Sequence, residues 1–157
     1  MSNTRSKPKR HLAQNLPSGT LVNQYGALCV RYDPADGKRV LLITTRQTRR
    51  WTIPKGWPIK GLDGAQVAER ESWEEAGVKG KASKKPFGHF AYMKVMENGT
   101  FVPTLVEVHL VSVRKQSREF PEAGQREIEW LPPEVAAERV LEPELKGILL
   151  RFARENG

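Results

Sequence analysis

Apolar and polar positions alternate along two early stretches, "TLVNQYGALCVRY" and "KRVLLITTR", both rich in β-branched and aromatic residues, and this spacing predicts two strands. "DPADG" between them supplies turn chemistry, so the pair is expected to form a hairpin. "FGHFAYMKVME" and "TFVPTLVEVHLVSV" around the turn "NGT" predict two more strands, and "REIEWL" a short one. The period changes in "AQVAERESWEEAG", where Ala65, Ala68, Ser72 and Ala76 return at helical intervals. A helix is expected there, its small-residue side lying close to a sheet. Gly77 fits the left-handed position just past that helix, after which Val78 can resume an extended chain. "PPEVAAERV" and "EPELKGILLRFAREN" carry proline near their first turns and are expected to be helices. "RRWTIPKGWPIKGLDG", before the first helix, is punctuated by Gly and Pro and reads as a loop.

Strands, a loop, a helix, further strands and terminal helices together predict an α+β fold of the α/β/α sandwich type, a mixed sheet flanked by helices. Residues 1–17 hold four basic residues, no acids and little hydrophobic content, so a disordered basic tail is expected ahead of a domain spanning 18–157.

With 157 residues the chain can bury a real core without staples or a structural metal. Its one cysteine, Cys29, sits in an apolar run and is expected to be a buried thiol in a reducing, cytoplasmic setting. No apolar run approaches the roughly 18 to 20 residues of a membrane span, so no membrane partner is expected. The net charge of +8 is uneven: residues 1–60 hold 12 Lys/Arg against 2 acids, whereas 61–157 hold 14 against 16. That asymmetry favours a polyanionic partner, either a heavily phosphorylated small molecule or nucleic acid.

One stretch sets a problem of its own. "RESWEEAG", residues 70–77, crowds Glu71, Glu74 and Glu75 together. At about 100° per residue these three fall within roughly a 100° arc of the helix, beside the small-residue stripe. Like charges at that spacing cost a few tenths of a kcal/mol each in an isolated helix. A solvated acidic face would tolerate this, but converging carboxylates are also hard oxygen ligands suited to Mg²⁺ or Mn²⁺, which complete their shell with water and substrate phosphate oxygens. The preceding "PKG" adds peptide groups that can offer N–H to phosphate or C=O to a metal, with Gly56 permitting close approach.

Taken whole, "GWPIKGLDGAQVAERESWEEAGV" resembles the Nudix box: Gly56, Arg70, Glu71, Glu74, Glu75, Gly77 and Val78 match in register. Leu62 stands where the box has its first glutamate, with Asp63 adjacent, and Ser72 replaces an apolar residue. "GALCVRY", "VLLITTRQTRRWTIPKGW" and "REIEWLPPEVA" extend the resemblance toward the diphosphoinositol polyphosphate and diadenosine polyphosphate hydrolase branch. "WTIPKGW" stands where that branch commonly has a glycine triplet, and a related tryptophan-containing loop occurs in Nudix enzymes that remove pyrophosphate from RNA 5′ ends.

The resemblance implies Mg²⁺-dependent hydrolysis, with Mn²⁺ as a substitute, of a diphosphate linkage in a phosphorylated small molecule. By box position Glu71 and Glu75 are metal ligands, the Lys55 carbonyl is a third, and Glu74 serves either a second metal or the attacking water. Glu119, Glu122, Glu127 and Glu129 are alternative bases. Arg70 is expected to pair with a box carboxylate. Thr44, Arg46, Arg50, Lys55 and Lys60 are the phosphate-binding candidates, with Gly56 giving the loop its close approach. Trp57 is assigned to stack on a nucleobase and Trp51 to anchor the loop, while His89 and His109 are expected to be structural. Two further readings stand beside this one: an RNA 5′-pyrophosphohydrolase, and a Nudix-like module that binds RNA or nucleotide without cleaving it.

Overall fold

The computed structural model describes residues 21–155. The expected tail at 1–17 and the expected domain start at 18 lie outside those residues.

The predicted hairpin forms: β1 (Val22–Asp33) and β2 (Gly37–Thr44) pair antiparallel from Val30↔Val40 to Asp33↔Gly37. The segment read as loop contains two very short strands, β3 (Trp51–Thr52) on β2 and β4 (Lys55–Gly56) on β1. Two-residue strands flanking Pro54 carry too few positions for alternation to reveal them.

Helix α1 (Gly64–Ala76) follows, then β5 (Val78–Ala82), β6 (Gly88–Val95) and β7 (Phe101–Gln116). The 16-residue β7 organises the sheet: β6 pairs with its first half, β5 with its second, and β1 runs parallel along its other edge from Val22↔Thr104 to Val30↔Ser112. Strand β8 (Ile128–Leu131) pairs with β2, and α2 (Pro133–Arg139) and α3 (Pro143–Arg154) close the chain. The three helices among the described residues fall where the sequence places them.

Alternation along the strands sorts side chains onto two faces. Ala27, Cys29, Leu41, Ile43 and Val111 pack under α1 against Ala65, Ala68 and Ala76, so the small-residue stripe does bring that helix close to the sheet. Leu28, Val30, Val40, Leu42, Val106 and Val108 meet Ala136, Leu145, Leu149 and Phe152 of α2 and α3 on the opposite face. The result is the α/β/α sandwich expected from the sequence. Among the described residues no helix is long and apolar enough to cross a membrane.

Candidate active site

Helix α1 is held at both ends. Asp63 Oδ1 accepts the Gln66 N–H at 2.8 Å while Gln66 Oε1 accepts the Asp63 N–H at 2.9 Å, a reciprocal cap of the kind that stabilises a helix by about 1 kcal/mol. Asp63 is thereby committed to the cap and does not take over for the glutamate that Leu62 replaces. At the other end Gly77 adopts φ 72°, as the sequence requires. Ser72 sits in the apolar box position because its hydroxyl donates to the Glu69 and Val78 carbonyls, tying α1 to the first residue of β5.

With both ends fixed, the acidic face of α1 lies against β4. Glu71 is only 2% exposed and fills the space above Gly56, where any Cβ would overlap its carboxylate. Glu75 hydrogen-bonds the Glu71 side chain, and its Oε1 accepts the Lys55 N–H at 3.3 Å. The two box carboxylates and the "PKG" peptide are therefore in one place. Burial pushes the Glu75 carboxyl up; Arg126 opposes that shift and the Glu122 charge adds to it.

Glu74 has partners of its own. It is buried, Arg70 Nη1 stands 3.9 Å from its Oε2, and its carbonyl accepts the Glu122 N–H at 3.0 Å. The expected pairing of Arg70 with a box carboxylate is thus present as an ion pair. Arg126, which the sequence reading did not single out, reaches the cluster from the segment before β8: its Nη2 lies 2.8 Å from Glu122 Oε1 and 3.6 Å from Glu75 Oε2. With 9% side-chain exposure it is a largely shielded counter-charge. Only spatial proximity distinguishes it; in sequence "GQRE" is an ordinary polar turn.

Of the four alternative bases, Glu122 alone contacts this group. Glu127 pairs with Arg49 and Glu129 with Arg139, and Glu119 is exposed. Among the described residues no three carboxylate, imidazole or thiol groups already stand as a metal-binding set. The donors nonetheless suit a hard divalent ion: the buried Glu71 carboxylate touches the partly buried Glu75 carboxylate, and both stand beside the Lys55–Gly56 strand.

The phosphate-binding candidates separate. Arg50 and Lys55 line a cleft beside the acidic pair, together with Thr45, Trp51, Thr52, Tyr92, Leu141 and Glu142. Burial pulls the Lys55 ammonium down to about 8, with Glu75 opposing, and Lys55 Nζ lies 4.9 Å from the centre of the Tyr92 ring. Burial, reinforced by the charges of Glu75 and Glu142, raises the Tyr92 phenol. Arg46 is exposed and bonds Gln125, and Lys60 is exposed outside the cleft.

Two candidates stand among other partners. Thr44 is 1% exposed and its hydroxyl accepts the Glu127 N–H at 2.9 Å, which braces the segment before β8. Trp57 is 6% exposed and packs with Met96, Val22 and Val102, which leaves it no face to offer a base. Trp51, expected to be the core anchor, is the tryptophan that lines the cleft, although it also touches the core cluster and carries Arg139 over its ring. His109 is structural as expected: its Nδ1 faces the Ser83 carbonyl and its Nε2 faces Glu107, each at 2.7 Å.

Residues 22–152 match the NUDIX domain. Solved structures of similar fold include an Ap4A hydrolase of C. elegans, with TM-score 0.60 and 20% identity over 85% of this chain and 97% of that one. A binary complex of a C. elegans Ap4A hydrolase gives TM-score 0.61 and 24% identity over 84% and 95% of the two chains. The MutT protein from Methanosarcina mazei Go1 gives 0.62 and 18% over 90% and 99%.

Proposed function

The chain belongs to the NUDIX domain family, and from that membership we propose that it is a divalent-metal-dependent pyrophosphohydrolase of the diadenosine polyphosphate class. It hydrolyses phosphoric anhydride bonds, as members of the family do. The observation that carries this reading is the meeting of Glu71 and Glu75 above Gly56, directly against the Lys55 peptide. The likeness to Ap4A hydrolases supports placing dinucleoside polyphosphates ahead of diphosphoinositol polyphosphates and RNA 5′ ends.

In this reading Glu71, Glu75 and the Lys55 carbonyl hold Mg²⁺, with Mn²⁺ able to replace it. The bound ion supplies neutralisation of phosphate charge and a lowered pKa for a bound water. Gly56 permits the approach of Glu71, and the Lys55 N–H keeps Glu75 turned toward it. Arg50 and the Lys55 ammonium bind phosphate oxygens and align the anhydride, which is most of what such a reaction asks of a protein. Proton acceptance from water falls to Glu122, whose charge acts on Glu75, or to Glu74 of the same helix. Arg126 keeps the acidic group from self-repulsion.

The test is hydrolysis of diadenosine polyphosphates, a diphosphoinositol polyphosphate and 5′-triphosphorylated RNA with and without Mg²⁺, in the parent and Glu75→Gln, with ¹⁸O-water marking the attacked phosphorus. Mg²⁺-dependent turnover that falls by on the order of 100-fold or more in the variant is expected. Equal turnover in both, or none by the parent, contradicts the proposal.

A further inference from the structure

Strand β6 and the start of β7 carry large apolar side chains into solvent: Phe101, Val95 and Met93 are 63%, 55% and 52% exposed. Strand pairing brings them together. Val95 pairs with Phe101 and Met93 with Pro103, and paired residues share one face of a sheet. Ala91 and Leu105 form the next row of that face. Leu21, 57% exposed, adjoins it at the head of β1, beside the Val22↔Thr104 pair.

Helix α1 covers the same face elsewhere. It begins at Gly64, close against Tyr25 and Glu107, and from there its buried alanines pack toward Cys29 and Val111. The rows from Leu105 back to Phe101 lie on the other side of that starting point, and none of their members carries a charge. Phe101, Val95, Met93 and Leu21 together leave about 400 Å² of apolar surface open, a size at which a patch on a soluble protein is often functional.

An uncharged apolar face calls for an apolar partner and gives nothing to the polyanions that the basic residues attract. Residues 1–20 lead into it at Leu21, but of apolar types they bring only Met1, Leu12, Ala13 and Leu16, beside four Lys/Arg. A second copy of the chain brings the same patch. Two copies stacked face to face bury about twice that area, and with a rim the contact comes to roughly the 1,200 Å² of the smaller specific interfaces. A two-fold axis makes such a face its own complement. The open edge of β6 suits the purpose less well, because Glu144 Oε1 accepts the Ala91 N–H at 2.7 Å and so blocks strand-to-strand extension there.

We infer that this face is the contact between two copies of the chain in solution, the sheets stacking through Phe101, Met93, Val95 and Leu21 about a two-fold axis. Tyr92 points to the opposite face of β6, where it lines the cleft with Lys55, so the contact leaves that cleft open.

Sedimentation velocity of the full chain over a range of concentrations tests the inference. The parent is expected to move from 17.8 kDa toward twice that mass as concentration rises. Added salt is expected not to weaken the association, since screening acts on charges and not on apolar contacts. Phe101→Glu and, separately, Met93→Glu are each expected to raise the dissociation constant by about tenfold or more with the melting temperature of the monomer little changed, because both side chains stand in solvent there. Tyr32→Glu, exposed outside the patch, is expected to leave it unaltered. A parent that stays monomeric at every concentration overturns the inference, whether residues 1–20 or another protein covers the face. A dimer that salt dissociates, or one that both charged variants leave as tight as the parent, overturns it equally.

Discussion

Gly56 and Glu71 occupy complementary space: the carboxylate of the helix residue stands where a side chain on the strand residue would begin. Fifteen residues separate them in sequence, and the capped helix between them fixes their approach. The steric fit explains why a glycine is required at a position that is otherwise ordinary strand.

Gly56→Ala is therefore expected to displace Glu71 and abolish most activity while leaving the fold intact. A loss on the order of 100-fold in kcat is expected, since displacements near 1 Å in a reacting site have that effect. Rates at saturating Mg²⁺, read beside a thermal melt, separate the local effect from unfolding.

Arg126 is the counter-charge of a cluster that contains Glu75 and Glu122. Arg126→Gln leaves two carboxylates facing one another with no cation between them, and a cost of about 2 kcal/mol is expected in chelator, below the full buried-pair figure because Glu122 is partly solvated. Mg²⁺ is expected to restore more melting temperature to this variant than to the parent. Identical Mg²⁺-induced shifts would place Arg126 outside the site.

Burial raises Glu75 above its usual carboxyl range. The sign follows from proton counting: the folded state holds this proton more tightly than the unfolded chain, so the contribution to stability is present at low pH and is lost as pH rises through the raised value. Metal requires the ionised form. Mg²⁺ binding should consequently release more protons near the raised value than at pH 8, a difference that calorimetry in buffers of unlike ionisation heat detects.

Cys29 is fully buried, and burial pushes its thiol up to about 12. Disulfide-exchange reagents are expected to label it at pH 8 only at the rate of global opening, and all at once in denaturant. Rapid labelling of the native protein would contradict the packing under α1.

Much of this molecule is legible in its sequence, and the illegible parts share a cause. The helix α1 could be read because its small residues and its acidic face follow one 3.6-residue period and a glycine stops it. The hairpin could be read because its turn is local. The parallel run of β1 along β7 could not, since strand propensity names no partner 82 positions away, as Thr104 is from Val22. Thr44 ends β2, where consecutive residues face opposite ways, so a residue that meets a ligand and one that packs differ by one position. Tyr92, Arg126 and Glu142 come from three separate elements and meet near Lys55 or Glu75 only in the folded chain.

Manganese binding read by electron paramagnetic resonance examines the heart of the account most directly, because it needs no substrate. The parent is expected to sequester Mn²⁺, with Mg²⁺ competing, and the Glu71→Gln/Glu75→Gln double variant, folded by circular dichroism, to bind it at least 100-fold more weakly. If the folded double variant takes up Mn²⁺ as tightly as the parent, the two glutamates do not hold the ion.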